Sequence, residues 1–213
     1  MMTKKKYVLF SFMFACIILL QPIMLFANSI SPRKATGRYW ANVPRNVYFY
    51  FDESTSTRVE ASDASSAIQS AMNAWNAVRD GSGNKMVTLG LTSDSSSANT
   101  IKFILLPLTN MFEYAGRTEY TPEEGTEIES AKVWLNARYL WATDGSDDGL
   151  DTQTIVQHEL GHVLGVAHCH ETDESSCFSA TCSSNVMQPT FYYGDVYRSF
   201  TDYDTSSYIV IYW

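Results

Sequence analysis

The sequence predicts a layered α+β (α/β) domain, a twisted sheet backed by helices. Three observations predict it. Val47-Tyr48-Phe49-Tyr50-Phe51 is an unbroken β-branched and aromatic run. Ala64, Ala67, Ile68, Ala71, Met72, Trp75 and Val78 recur at helical spacing. Further strand-like runs then separate that helix from a second one opening at Asp151. Strands and helices in this order bury their apolar faces against one another as a sheet with helices packed on it.

Residues 1–27 stand apart. Lys4, Lys5 and Lys6 precede a mostly apolar Tyr7 to Phe26, and Ala27 is followed by polar Asn28-Ser29. This order reads as a secretory signal peptide, cleaved near Ala27 or Ser29. An uncleaved anchor is the alternative, because the apolar run is long enough to span a bilayer; Gln21 and Pro22 interrupt it. Residues 28–213 then form a single domain large enough for its own core. All 23 acidic residues lie there, whereas three of the 15 basic ones leave with the first segment, which moves the net charge from −8 to −11. That charge argues against nucleic acid and anionic surfaces as partners. The reading is of a secreted, extracellular monomer, with no membrane attachment in its mature form.

Within the domain, Val47–Phe51 is the first strand. A helix begins at Ser62 or Asp63 with one apolar face, and Asp80-Gly81-Ser82-Gly83-Asn84 ends it in a turn. Met86–Leu91 and Ile101–Leu106 are two further strands around the polar loop Ser93–Ser97, and Lys132–Asn136 is another. Asp151 is a good N-cap for the second helix, with Thr152, Gln153 and Thr154 in its first turn. Its Ile155, Val156, Leu160, Val163 and Leu164 can pack on the sheet. At the end of the chain, Tyr208–Trp213 is strand-like by propensity.

The second helix carries the chemistry. Residues 158–168 read His-Glu-Leu-Gly-His-Val-Leu-Gly-Val-Ala-His, the pattern H-E-x-x-H-x-x-G-x-x-H. His158 and His162, four apart, project from one helix face, where two neutral imidazoles can grip one zinc ion. Glu159 is offset by about 100° and can stand beside the metal as a base. Gly165 can take positive φ and end the helix, so that the chain turns back and His168 becomes the third ligand. Three protein ligands leave a fourth position open, as catalytic zinc requires. A helix with two surface histidines and a chance glutamate is the bland alternative, and five specified positions at fixed spacing disfavour it.

The stretch HELGHVLGVAH resembles the zinc signature of the metzincin metalloproteases and is most similar to the matrixin branch. Asn185-Val186-Met187-Gln188-Pro189 resembles the metzincin Met-turn, with Met187 as its methionine. The resemblance implies a mostly parallel sheet with an antiparallel edge strand, and the zinc helix and Met-turn at a cleft. Val47 to Val78 is similar to the first strand and helix of matrixin catalytic domains. Lys132–Asn136 looks like their antiparallel edge strand, which rims the cleft and pairs with an extended substrate, making Trp134 a substrate-binding candidate. In matrixins the segment after the Met-turn walls the pocket beside the zinc. Pro189, Phe191, Tyr192 and Tyr193 are the matching candidates, and aromatics there suit an apolar pocket. Phe200 to Asp204 resembles the start of the matrixin C-terminal helix, with Thr201 as its cap.

The activity implied is that of a zinc metalloendopeptidase holding one catalytic Zn²⁺, with Glu159 as general base and a protein or peptide as substrate. A non-catalytic zinc-binding adhesion or decoy module and a zinc amidase acting on cell wall are the alternatives. The chain departs from the matrixin pattern at several points. Residues 28–45 contain no cysteine, so latency through a prosegment thiolate is not expected. The four histidines, His158, His162, His168 and His170, are too few for a second structural zinc. Eighteen residues separate His168 from Met187, longer than is usual in matrixins, and they carry Cys169, Cys177 and Cys182 in a loop more like the adamalysin branch. Export favours one disulfide among these three, with the pairing open. Asp144, Asp147, Asp148 and Asp151 form either a Ca²⁺ site or a solvated acidic turn before the helix.

Overall fold

The computed structural model describes residues 36–106, 114–169 and 184–212. Residues 1–27, which the sequence reads as a signal peptide, and His170, Cys177 and Cys182 lie outside them. Strand β1 (Arg45–Phe51) turns Val47, Phe49 and Phe51 into the core and leaves Asn46 and Tyr48 exposed. Helix α1 (Ala61–Ala77) buries Ala64, Ala67, Ile68, Ala71, Met72 and Trp75 on the predicted face and stops where Val78 becomes extended. There follow β2 (Val87–Thr92), β3 (Thr100–Ile104), β4 (Gly116–Thr121), β5 (Ser130–Asn136) and a short pair, β6 (Trp141–Ala142) and β7 (Leu150–Asp151). Helix α2 (Thr152–Val163) follows β7 directly, and α3 (Asp202–Tyr212) closes the described chain.

The main sheet has the order β2-β1-β3-β5-β4. Strand β1 is parallel to β2 and β3, β3 is parallel to β5, and only β4 runs antiparallel, against β5. This is the mostly parallel sheet expected. Helices α1 and α2 pack on each other, α1 over β2 and α2 against β4 and β5. The Trp75 indole N–H ties the helices together by donating to Gln157 O at 2.8 Å.

One strand assignment is corrected. The antiparallel edge strand is β4, not Lys132–Asn136, which lies inside the sheet between β3 and β4. Ala131, Val133 and Leu135 are at most 1% exposed, as an interior strand needs. The sequence of β4, Gly-Arg-Thr-Glu-Tyr-Thr, has no aliphatic side chain to announce a strand, while its charged Arg117 and Glu119 suit an edge that must not pair indiscriminately.

The C-terminus forms the helix that the resemblance implied, against the strand propensity of Tyr208–Tyr212. The Thr201 hydroxyl and the Asp204 carboxylate cap its first turn reciprocally, with Thr201 N donating to Asp204 Oδ2 at 2.8 Å. Tyr208 is buried edge-on against Trp75, ring centroids 5.5 Å apart, and its hydroxyl accepts from Val87 N at 3.0 Å.

Both ends of α2 are pinned. At its start the Asp151 carboxylate accepts from Thr154 N at 2.9 Å and from the Thr154 hydroxyl at 2.7 Å, and Arg198 pairs with the same carboxylate. At its end Gly165 N donates to His162 O at 2.7 Å and Val166 N to Gly161 O at 2.9 Å. This is a Schellman closure, which needs a left-handed residue at Gly165; its φ is +88°. A Cβ on Gly165 would also overlap the Arg38 carbonyl oxygen. Gly165→Ala is therefore expected to destabilise the fold by about 1–3 kcal/mol, read as a lowered urea midpoint at unchanged slope.

Candidate metal centre

His158 and His162 occupy successive turns of α2, and the reversal at Gly165 returns His168 to them. Their three Nε2 atoms form a nearly equilateral triangle: His158 to His162 3.1 Å, His162 to His168 3.1 Å and His158 to His168 3.2 Å. Among the described residues this is the one group of three or more His, Cys, Asp or Glu side chains whose ligand atoms converge within 4.8 Å.

The tautomers follow from the backbone. His158 Nδ1 lies 2.8 Å from Val186 O, and His162 Nδ1 lies 2.8 Å from Val166 O. A carbonyl can only accept, so each Nδ1 carries a hydrogen and each Nε2 presents a lone pair to the triangle. Burial, reinforced by the imidazoles of His162 and His168, holds His158 well below the ordinary histidine pKa and therefore neutral, the ligand form. Nitrogens bound to one tetrahedral ion at roughly 2.0–2.1 Å stand about 3.4 Å apart, close to the separations seen. The donor set fits a single Zn²⁺.

The floor of the site is the turn at residues 185–188, closed by Gln188 N donating to Asn185 O at 3.2 Å. Met187 is fully buried. Its thioether lies against Gly161, where an added Cβ would overlap the sulfur and press on Trp75. The turn's backbone is held by the buried Asp204 carboxylate, which accepts from Met187 N at 3.1 Å and from Val186 N at 3.3 Å while capping α3. Because Val186 O orients His158, Asp204 acts on the triad through the turn.

Glu159 is 4% exposed. Burial pushes its carboxyl up to about 7, against the opposing pull of the Thr118 hydroxyl and of His168. A carboxyl near neutrality can both take up and return a proton. It lines, with the three histidines, a cleft of about 710 Å³.

The cleft gathers most of the candidate pocket residues. Pro189, Phe191, Tyr192 and Tyr193 all line it, joined by Tyr139, Leu150 and Ile155. The Phe191 ring stands edge-on to His158 at 5.1 Å. Tyr193 packs edge-on against Tyr139 and accepts from Leu140 N at 3.2 Å, and Tyr192 is largely exposed at the mouth. Trp134 is not brought there: it lies half-buried in the interior strand β5, opposite Arg117 of β4 and Lys102 of β3. The main-sheet residues that reach the cleft are Gly116, Arg117 and Thr118 of β4, and sequence reading missed them. The available signal was the alternation of uncharged Gly116, Thr118 and Tyr120 with charged Arg117 and Glu119. The acidic group before α2 does not converge either. Asp151 is 1% exposed and committed to Arg198 and Thr154, while Asp144 accepts from Ser146 N.

A mostly parallel sheet with an antiparallel edge strand, and a helix presenting a His-Glu-x-x-His pair with a third histidine beyond its end, define the architecture of a zinc metallopeptidase. The matrixin family model, peptidase family M10, matches residues 39–196, and the chain belongs to that family. Membership supports a zinc metalloprotease-type function acting on peptide or protein substrates. No curated protein matches the chain significantly. Among the described residues no helix is long and apolar enough to cross a membrane.

Asp204→Ala would leave the Val186 and Met187 N–H groups buried without their acceptor. The expected result is a loss of about 1–3 kcal/mol in stability and zinc held about 10–100-fold more weakly, measured by denaturation and by competition with a fluorescent chelator.

Proposed function

We propose that the protein is a secreted zinc endopeptidase in which His158, His162 and His168 hold the metal and Glu159 is the general base. The single observation that carries this reading is the placement of Glu159. It is buried in the cleft beside the triad, yet its carboxyl is engaged by Thr118 of β4 instead of joining the three converging nitrogens. A purely structural zinc site has no use for such a group and usually employs four protein ligands.

When bound, zinc supplies Lewis-acid polarisation of a scissile carbonyl and of a water. His158 and His162 keep their Nε2 lone pairs free for the ion because Val186 O and Val166 O hold their Nδ1 hydrogens. Glu159 accepts the proton of the attacking water at a carboxylate oxygen and delivers it to the departing amine nitrogen. Phe191 and Tyr193 form the apolar wall that seats a substrate side chain and keeps bulk water from it.

Domain limits, compartment and covalent ties belong to the same proposal. Residues 1–27 direct export and residues 28–213 are the catalytic domain, acting as an extracellular monomer. A disulfide in the loop after the third histidine is supported by Cys169, which is buried and disulfide-bonded; its partner lies outside the described residues. At Cys169 the backbone N donates to Met187 O at 3.0 Å. A bridge there would brace the path from His168 to the Met-turn.

The test is casein cleavage by the purified, zinc-loaded protein beside Glu159→Ala, with zinc content measured in both. The parent is expected to cleave, and the variant to retain one zinc while losing about 10²–10⁴-fold in rate. A zinc-loaded parent that cleaves nothing across a broad polypeptide panel would sink the endopeptidase reading. Removal of zinc by a chelator is expected to abolish cleavage, and restoring it to recover the rate.

A further inference from the structure

The inward face of the edge strand carries more than a docking role. Successive side-chain positions on one face of a strand are two residues apart, and Gly116, Thr118 and Tyr120 each meet α2. The Thr118 hydroxyl lies 2.7 Å from Glu159 Oε2 and 3.0 Å from Glu159 O. A Cβ on Gly116 would lie 2.7 Å from Glu159 Oε1 and 2.9 Å from its Cγ, so the carboxyl rests where that residue has no side chain. The Tyr120 hydroxyl donates to His162 O at 2.8 Å, and the Arg38 guanidinium covers the Tyr120 ring at 4.6 Å while donating to Pro122 O.

We propose that this face of β4 is a positioning device for the base. Thr118 holds the Glu159 carboxyl in register with the three imidazoles, Gly116 provides the space in which it lies, and Tyr120 locks the next turn of the helix. The inference rests on the endopeptidase reading for its kinetic consequence, but the placement itself is a statement about side chains.

The chemistry favours this role over simple docking. The single Thr118 hydroxyl hydrogen is shared between the Glu159 carbonyl and carboxylate, and docking the strand on the helix would be served by the carbonyl alone. The shorter contact to the carboxylate removes torsional freedom from a three-bond side chain whose reach must be set within a fraction of an ångström to serve proton transfer. Gly116 sharpens the argument, since the three atoms nearest its missing side chain, Oε1, Cγ and Cδ, all belong to the Glu159 side chain. Any shift of β4, the strand that rims the cleft, is thereby passed to the base. Thr118 is accordingly a positioning residue, acting through Glu159.

The experiment compares the zinc-loaded full chain with Thr118→Val, Thr118→Ser and Gly116→Ala, each checked for zinc content and thermal midpoint. Thr118→Val keeps the shape and removes the hydroxyl. It is expected to lower kcat about 10–100-fold with KM unchanged, and Thr118→Ser to recover most of the loss. Gly116→Ala is expected to lower kcat while keeping fold and zinc, because the atoms it crowds, Glu159 Cγ, Cδ and Oε1, belong to one side chain and to no backbone. Crystal structures of the zinc-loaded proteins provide a readout independent of turnover. The Glu159 carboxyl should be displaced in the Val and Ala variants and stay in place with Ser. A carboxyl left in place in both Thr118→Val and Gly116→Ala, an unchanged kcat in both, or equal losses in Thr118→Val and Thr118→Ser would overturn the proposal. If Thr118→Val does not fold, Gly116→Ala carries the same comparison. If the parent cleaves no better than Glu159→Ala, the endopeptidase reading fails, and the position of the carboxyl still decides whether β4 places it.

Discussion

Three imidazole Nε2 atoms stand within 3.1–3.2 Å of one another, and the lone pairs that His158 and His162 direct inward repel unless they share a cation. Holding them there is the constraint on which the rest of the structure depends. No single element meets it. Helix α2 supplies two of the nitrogens at fixed spacing, the Gly165 reversal supplies the third, and backbone carbonyls of Val166 and Val186 turn two of the rings by their Nδ1 hydrogens. Each of those carbonyls is itself placed by another hydrogen-bonded turn. The site is therefore a rigid nest of backbone groups into which the side chains are keyed.

The buried polar groups follow the same logic. Asp151 and Asp204 are both at most 1% exposed, and a carboxylate in such a place is costly unless its lone pairs are taken up. Each caps a helix and also reaches across to a neighbour. Asp151 caps α2 and binds Arg198, from the segment beyond the pocket wall. Asp204 caps α3 and binds the Met-turn. Two helix termini thus serve as the fixed points from which the metal site and the pocket wall are suspended. Close packing completes the frame, since Gly161 allows the Met187 thioether and the Trp75 indole to meet the helix that carries the ligands.

Much of this was legible along the chain. The H-E-x-x-H-x-x-G-x-x-H spacing, the α1 stripe, the Asp151 cap and the strands around Val47–Phe51, Met86–Leu91, Ile101–Leu106 and Lys132–Asn136 all rest on local rules of period and capping, and each has its element in the structure. The Met-turn and the pocket segment after it were readable only through the resemblance. Strand β4 offered only a weak polar alternation, because an edge strand with one half-buried face needs neither aliphatic residues nor a continuous apolar run. The resemblance alone points to its neighbour β5 as the edge, whereas β5 lies inside the sheet. The C-terminal aromatics were ambiguous, since Tyr208 has strand propensity yet is drawn into a helix by its contact with Trp75 and by the Thr201–Asp204 cap.

The sequence by itself determined which three histidines could converge on a metal, the glutamate proposed as base, the helix that bears them and the class of sheet, because those depend on residue type at short fixed separations. Tertiary structure alone decided which strand forms the edge, that Trp134 stays away from the cleft while Phe191 and Tyr193 enter it, that Asp151 spends its charge on Arg198, and that Thr118 meets Glu159. Those pairs are separated by tens of residues, up to 47 for Asp151 and Arg198 and 41 for Thr118 and Glu159. No periodicity or cap encodes a contact at such distance. It arises only when the sheet order brings β4 and the segment after the Met-turn to the two sides of one helix.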